Sequence, residues 1–231
     1  MSDPRASMRR MRALALGLGL CLATCVAVWA EPGDDATATH SFGDVERWEK
    51  VFDDPARAKW QQPAAIVQAL ALAPGMAVAD VGAGTGYLER LLSTAVGPRG
   101  TVYAVEVEPN LVTHLRARAE REGTANVIPV LGSTANPRLP AGHVDRVLFV
   151  DTYHHINDRV DYFRRLREGL APGGWVVIVD WEKREDTIGP ELAHRLAREQ
   201  VTNEMDRAGY RTLETAVRLP HQYVLVFTPQ G

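Results

Sequence analysis

Cysteine is almost missing: Cys21 and Cys25 are the only two in 231 residues, and nothing after Ala30 carries a thiol. A disulfide framework, a cysteine nucleophile and a thiolate metal site are therefore excluded from the 201 residues that follow. Excess positive charge is missing too. The formal charge is −3, and Arg5, Arg9, Arg10 and Arg12 against Asp3 give the first thirty residues +3, so the remainder carries −6. That balance argues against a polyanion-binding surface and sets the expectation of no nucleic-acid partner. Low-complexity runs are absent as well. With 45% hydrophobic and 24% charged residues, the composition is that of a globular domain.

The N-terminal stretch has its own character. Four arginines precede an apolar run from Ala13 to Val28, and Val28-Trp29-Ala30 offers small residues for cleavage before Glu31. Residues 1–30 read as a secretory signal, with an uncleaved anchor as the alternative, because eighteen residues at about 1.5 Å each barely span a bilayer. Basic residues before the run and acidic ones after it place the rest outside the cytoplasm, periplasmic or secreted, under either reading. Membrane contact is expected only if the segment stays uncleaved. Arg9-Arg10 also weakly resembles a twin-arginine signal.

Residues 31–62 divide into a polar linker and an amphipathic helix within 44–60, where Val45, Trp48 and Phe52 recur at helical spacing. Trp48, Phe52 and Trp60 form either a lid or ordinary core packing. From Pro63 to the end, strands and helices alternate. Strands are expected at 76–81, 101–106, 126–131, 144–150, 174–180, 211–218 and 222–228, and helices at 86–96, 109–122, 158–170 and 188–208. Near-continuous apolar runs such as Trp175-Val176-Val177-Ile178-Val179 suit parallel strands buried on both faces. The expected fold is a single α/β domain at 63–231, doubly wound, with seven strands, mostly parallel with an antiparallel C-terminal strand.

Val78-Ala79-Asp80-Val81-Gly82-Ala83-Gly84-Thr85-Gly86-Tyr87 puts an acid at a strand end and three alternate glycines in the turn that enters a helix. Glycine permits positive φ and close approach of a ligand to the backbone. A dinucleotide fingerprint needs its third glycine where Tyr87 stands, and a P-loop needs a Lys followed by Ser or Thr, which this turn lacks. The pattern resembles instead the first motif of the class I S-adenosylmethionine-dependent methyltransferases. Glu106, ending Val102-Tyr103-Ala104-Val105-Glu106, matches that family's second acidic landmark, and Leu166 to Gly174 resembles its helix-to-strand turn.

The resemblance implies S-adenosyl-L-methionine as cofactor. It assigns the cofactor site to Asp80, Gly82, Ala83, Gly84, Gly86, Glu106, Val107, Ser133 and Asp151. Glu106 would accept both ribose hydroxyls. Ser133 stands where the family often has an Asp that bonds the adenine amine.

Asp151-Thr152-Tyr153-His154-His155 follows the fourth strand and falls in the ligand crevice of an open α/β sheet. His154 and His155 are candidate bases, and Tyr153 is a candidate for orienting the acceptor. An extended backbone would put Asp151, Tyr153 and His155 on one side and Thr152 and His154 on the other. The competing reading makes one histidine a packing residue and the other a backbone contact. No His-x-x-x-His pair accompanies them, so no metal is expected. Asp180 and Glu182, flanking Trp181, either line the acceptor side or belong to a solvated loop.

Without a large insertion after the fourth or fifth strand, the expected acceptor is a small organic molecule, methylated by in-line displacement. The alternative is a non-catalytic module that binds the same cofactor as a sensor or partner protein.

Overall fold

The computed structural model describes residues 44–231. The export segment at 1–30, its arginine pair and the linker read from residue 31 onward lie outside the described residues. Among those described, no helix is long and apolar enough to cross a membrane.

The chain opens with three short helices, α1 (Val45–Phe52), α2 (Arg57–Gln61) and α3 (Pro63–Ala69). It then runs β1 (Ala77–Val81), α4 (Glu89–Val96), β2 (Thr101–Glu106), α5 (Pro109–Glu122), β3 (Val127–Leu131), β4 (Val144–Val150) and α6 (Arg159–Leu166). β5 (Leu170–Trp181), α7 (Arg198–Arg207), β6 (Tyr210–Leu213) and β7 (Gln222–Pro229) complete it. The seven strands lie in the order β3-β2-β1-β4-β5-β7-β6. β1 to β5 pair in parallel, and β7 runs against both of its neighbours. The doubly wound, mostly parallel sheet expected from the sequence is the fold observed.

The continuous apolar strands are explained by helices on both faces. Along β4, Val147 and Phe149 enter one core with Phe163 of α6 and Met205 of α7, while Leu148 and Val150 enter the other with Ile66, Leu92 and Leu115 of α3, α4 and α5. Period-two alternation thus divides one strand between two cores. Arg146 interrupts the β4 run yet is buried, because its Nε donates to Leu70 O at 2.8 Å and its guanidinium lies 3.4 Å from the centre of the Trp175 ring.

Three expected elements are markedly shorter than the sequence suggests. The helix placed at 188–208 begins only at Arg198, since Gly189 takes φ +86° and Pro190 cannot donate. Arg195 holds the preceding loop instead, donating to the carbonyls of Pro190, Ile188 and Arg184 at 2.6–3.0 Å. The strand placed at 211–218 ends at Leu213, so a long irregular link replaces the expected short hairpin. The helix read at 158–170 ends at Leu166 and tightens into a 3₁₀ turn over Arg167–Gly169.

Candidate functional site

β1 and β4 are adjacent and parallel, so the segments that leave their carboxyl ends meet at the point where strand order reverses. The glycine turn after β1 takes positive φ at Gly82 (+81°), Gly84 (+57°) and Gly86 (+93°), which side-chain-bearing residues rarely adopt. Gly82 has a second constraint: a Cβ there would fall 2.3 Å from Thr152 Oγ1. Gly82 and Ala83 donate to Val105 O at 2.9 and 3.1 Å, which ties the turn to β2.

At the end of β2, Glu106 is buried. Its Oε2 accepts from Gly84 N at 3.0 Å, and its Oε1 accepts from Val107 N at 2.7 Å. Burial raises its pKa, and the three backbone N–H groups of Val107, Gly84 and Glu108 work against that rise. Each carboxylate oxygen retains acceptor capacity for the vicinal hydroxyls of a ribose. Val107 is 45% exposed beside it and Leu131, ending β3, is 42% exposed, leaving apolar surface for a base. A backbone cradle, a held carboxylate and exposed aliphatic surface together fit an adenosyl group. Ser133 is less available, since its hydroxyl donates to Asn136 O and accepts from Asn136 N, both at 3.1 Å.

Asp80 lies beneath the turn, 3% exposed, and is pushed up to about 7, chiefly by burial. Its neighbour is Glu89 at the start of α4, 4% exposed and held well above its ordinary pKa by burial and by Asp80's charge. Sequence reasoning missed Glu89. Its one signal is an acid three residues past the last glycine, where a helix N-terminus also favours negative charge.

Asp151 follows β4 with φ +55°. Its carboxylate accepts from Gln61 Nε2 at 2.9 Å and from Gln222 Nε2, and Arg57 Nη2 stands 3.8 Å away. Burial raises it to about 6 against the pull of Arg57. Gln61, Gln222 and Arg57 come from α2 and β7, and nothing local in the sequence marks them.

The Asp151 turn bends the chain out of the extended path, and Tyr153–His155 form a 3₁₀ turn closed by His155 N to Thr152 O at 3.0 Å. The alternating sides expected for these residues therefore do not occur. Tyr153 is corrected outright. It is fully buried, and its hydroxyl donates to Glu204 Oε2 at 2.7 Å, while Arg159 clamps the same carboxylate. Burial and the Glu204 charge raise its pKa, so it is a core bracket between α6 and α7 rather than an acceptor ligand.

His154 is buried with Nδ1 set between both Asp180 oxygens, at 2.9 and 3.0 Å. Asp180 is fixed in turn by the N–H groups of Trp181 (2.8 Å) and His154 (3.2 Å). Burial pulls the imidazole pKa down, but the Asp180 charge and hydrogen bond, with help from Asp151, carry it above its ordinary value. His155 is half-buried, its ring 4.1 Å from that of His154.

The N-terminal helices cover this crevice. The Phe52 ring lies 3.3 Å from where a Gly84 Cβ would stand, and Trp60 packs on Trp181 with ring centres 5.1 Å apart. Arg118 of α5 ties the cover to the turn, bonding Asp53 at 2.7 Å and Thr85 O at 3.0 Å. Among the described residues, no group of three His, Cys, Asp or Glu side chains could hold a metal ion.

Residues 78–174 match the family model described as a methyltransferase domain. The fibrillarin-like rRNA/tRNA 2'-O-methyltransferase of Pyrobaculum calidifontis is 29% identical over 178 residues, covering 73% of this chain and 71% of that one. The protein-L-isoaspartate O-methyltransferase of Aeropyrum pernix is 38% identical over 116 residues, covering 49% and 42%. Among solved structures, a SAM-dependent methyltransferase from Aquifex aeolicus superposes with a TM-score of 0.75 at 26% identity, over 80% of this chain and 97% of that one. The expectation of a small-molecule acceptor without nucleic acid is overturned by the two named relatives, whose acceptors are RNA and protein. Bulk charge misled there because it averages over the whole surface and carries no information about one docking face.

Proposed function

We propose that the chain is a class I S-adenosylmethionine-dependent methyltransferase and that it methylates a hydroxyl oxygen on a macromolecule, nucleic acid first. The cofactor, when bound, supplies an electrophilic methyl on a sulfonium. Glu106 and the glycine turn hold the nucleoside end, and the ends of β4 and β5 face the acceptor.

One observation carries the choice of acceptor: His154 Nδ1 is held by both oxygens of a buried Asp180. That fixes the tautomer and leaves Nε2 to take a proton. A carboxylate acceptor is already ionised at neutral pH and needs no base, whereas a hydroxyl must lose its proton. The longer alignment, to a 2'-O-methyltransferase of RNA, points the same way. A second reading, a carboxylate on protein, draws on the higher local identity to the isoaspartate enzyme. Relatives named as enzymes weigh against the alternative of a non-catalytic module.

Incubation with tritiated-methyl donor, RNA and protein separates these readings. Label removed by ribonuclease and stable to alkali is the result expected. Alkali-labile label removed by protease would favour the carboxylate, and no incorporation into either polymer would contradict both.

A further inference from the structure

We propose that Arg57, carried on α2 outside the doubly wound core, binds the carboxylate of the donor's methionyl end. It rests on the donor assignment above and extends the site to a residue that no motif marks. The charge of Arg57 acts on both Asp80, within β1, and Asp151, which follows β4. Its guanidinium is set 4.3 Å from the centre of the Tyr87 ring, at the exit of the glycine turn, and 5.8 Å from that of Phe52. Nη1 donates to Phe52 O at 2.8 Å and Nε to Gln61 Oε1. Nη2 differs: it meets Asp151 Oδ2 at 3.8 Å, an attraction beyond hydrogen-bond reach.

Nη2 leaves room for an anion. Burial pushes the two neighbouring acids up, to about 7 for Asp80 and about 6 for Asp151, which weakens their hold on a cation whose side chain is itself only 13% exposed. Arg118, the next cation along the turn, is already bonded to Asp53, Glu122 and Thr85 O at 2.7–3.0 Å. The methionyl end of the donor is a zwitterion. Its ammonium suits the carboxylate side of this cluster and its carboxylate suits Arg57.

Two ligands isolate the interaction: S-adenosylhomocysteine carries the amino-acid end, and 5'-methylthioadenosine has the same nucleoside and sulfur without it. Calorimetry on the wild type, Arg57→Ala and Arg57→Lys is the experiment. For Arg57→Ala, affinity for S-adenosylhomocysteine should fall about tenfold or more, as for a lost hydrogen bond between charged groups, while that for 5'-methylthioadenosine changes less than about twofold. Arg57→Lys, which keeps the charge, should recover part of the loss. An equal loss for both ligands would overturn the assignment and make Arg57 only a support for the covering helices. Unchanged affinity for both would overturn it as well. A wild type that binds neither ligand would overturn the donor assignment itself, a failure distinct from that of Arg57.

Discussion

The two halves of the crevice are built by different means. On the β1–β2 side, the lining comes from backbone: three glycines at positive φ and N–H groups that fix Glu106. On the β4–β5 side it comes from side chains brought together over long stretches of chain. Asp180 lies 26 residues from His154, and Gln61 and Gln222 reach Asp151 from 90 and 71 residues away. A backbone cradle reads what is common to every reaction of one donor, whereas a side-chain network can be changed one residue at a time to suit an acceptor.

Each half can be broken separately. The largest effect is expected for His154→Ala, which should lower turnover on a hydroxyl acceptor by about 10²-fold or more while donor affinity holds. Asp180 keeps its two backbone donors in that variant, so the fold should survive. The pH profile sharpens the point: activity should rise with pH through a value above the ordinary histidine pKa, and Asp180→Asn should move that limb downward.

Gly82→Ala attacks the other half. Positive φ and the 2.3 Å approach to Thr152 together should weaken donor binding about tenfold and cost about 1–3 kcal/mol of stability, read by calorimetry and urea unfolding. Thr152→Ala added to it should restore only part, because the backbone strain stays.

Next comes the acid pair under the turn. Raised values for Asp80 and Glu89 mean that the native state keeps protons that the unfolded chain has released. The Asp80 contribution to stability is present at acid pH and is lost as pH rises through about 7, and that of Glu89 is likewise lost as pH rises through its raised value. The melting temperature should therefore fall between pH 5 and pH 8, and Glu89→Gln should flatten that fall, with Asp151 and Glu106 supplying what slope remains. Tyr153→Phe should have the smallest effect on chemistry. Turnover should stay within about twofold while stability drops by about 1–3 kcal/mol for the lost bond to Glu204, checked by thermal and urea denaturation.

Legibility in the sequence follows the same division. The strands and the glycine turn could be read because near-continuous apolar runs and alternate glycines are local patterns. Glu106 could be read because it ends a strand. Arg57, Gln61, Gln222 and Glu89 could not, since their roles arise from tertiary proximity that no spacing encodes. Tyr153 was misread for a related reason. Its position after β4 suggested the crevice, but the Asp151 turn rotates it into the core against Glu204. The acceptor was misjudged from net charge, which says little about any single face.

The donor cradle is tested most directly by calorimetry with S-adenosylhomocysteine on the wild type and on Glu106→Ala. Saturable one-to-one binding that weakens about tenfold or more in the variant is the result expected from a carboxylate that accepts both ribose hydroxyls. Equal affinity in the two proteins, or binding of NAD in place of S-adenosylhomocysteine, would contradict it.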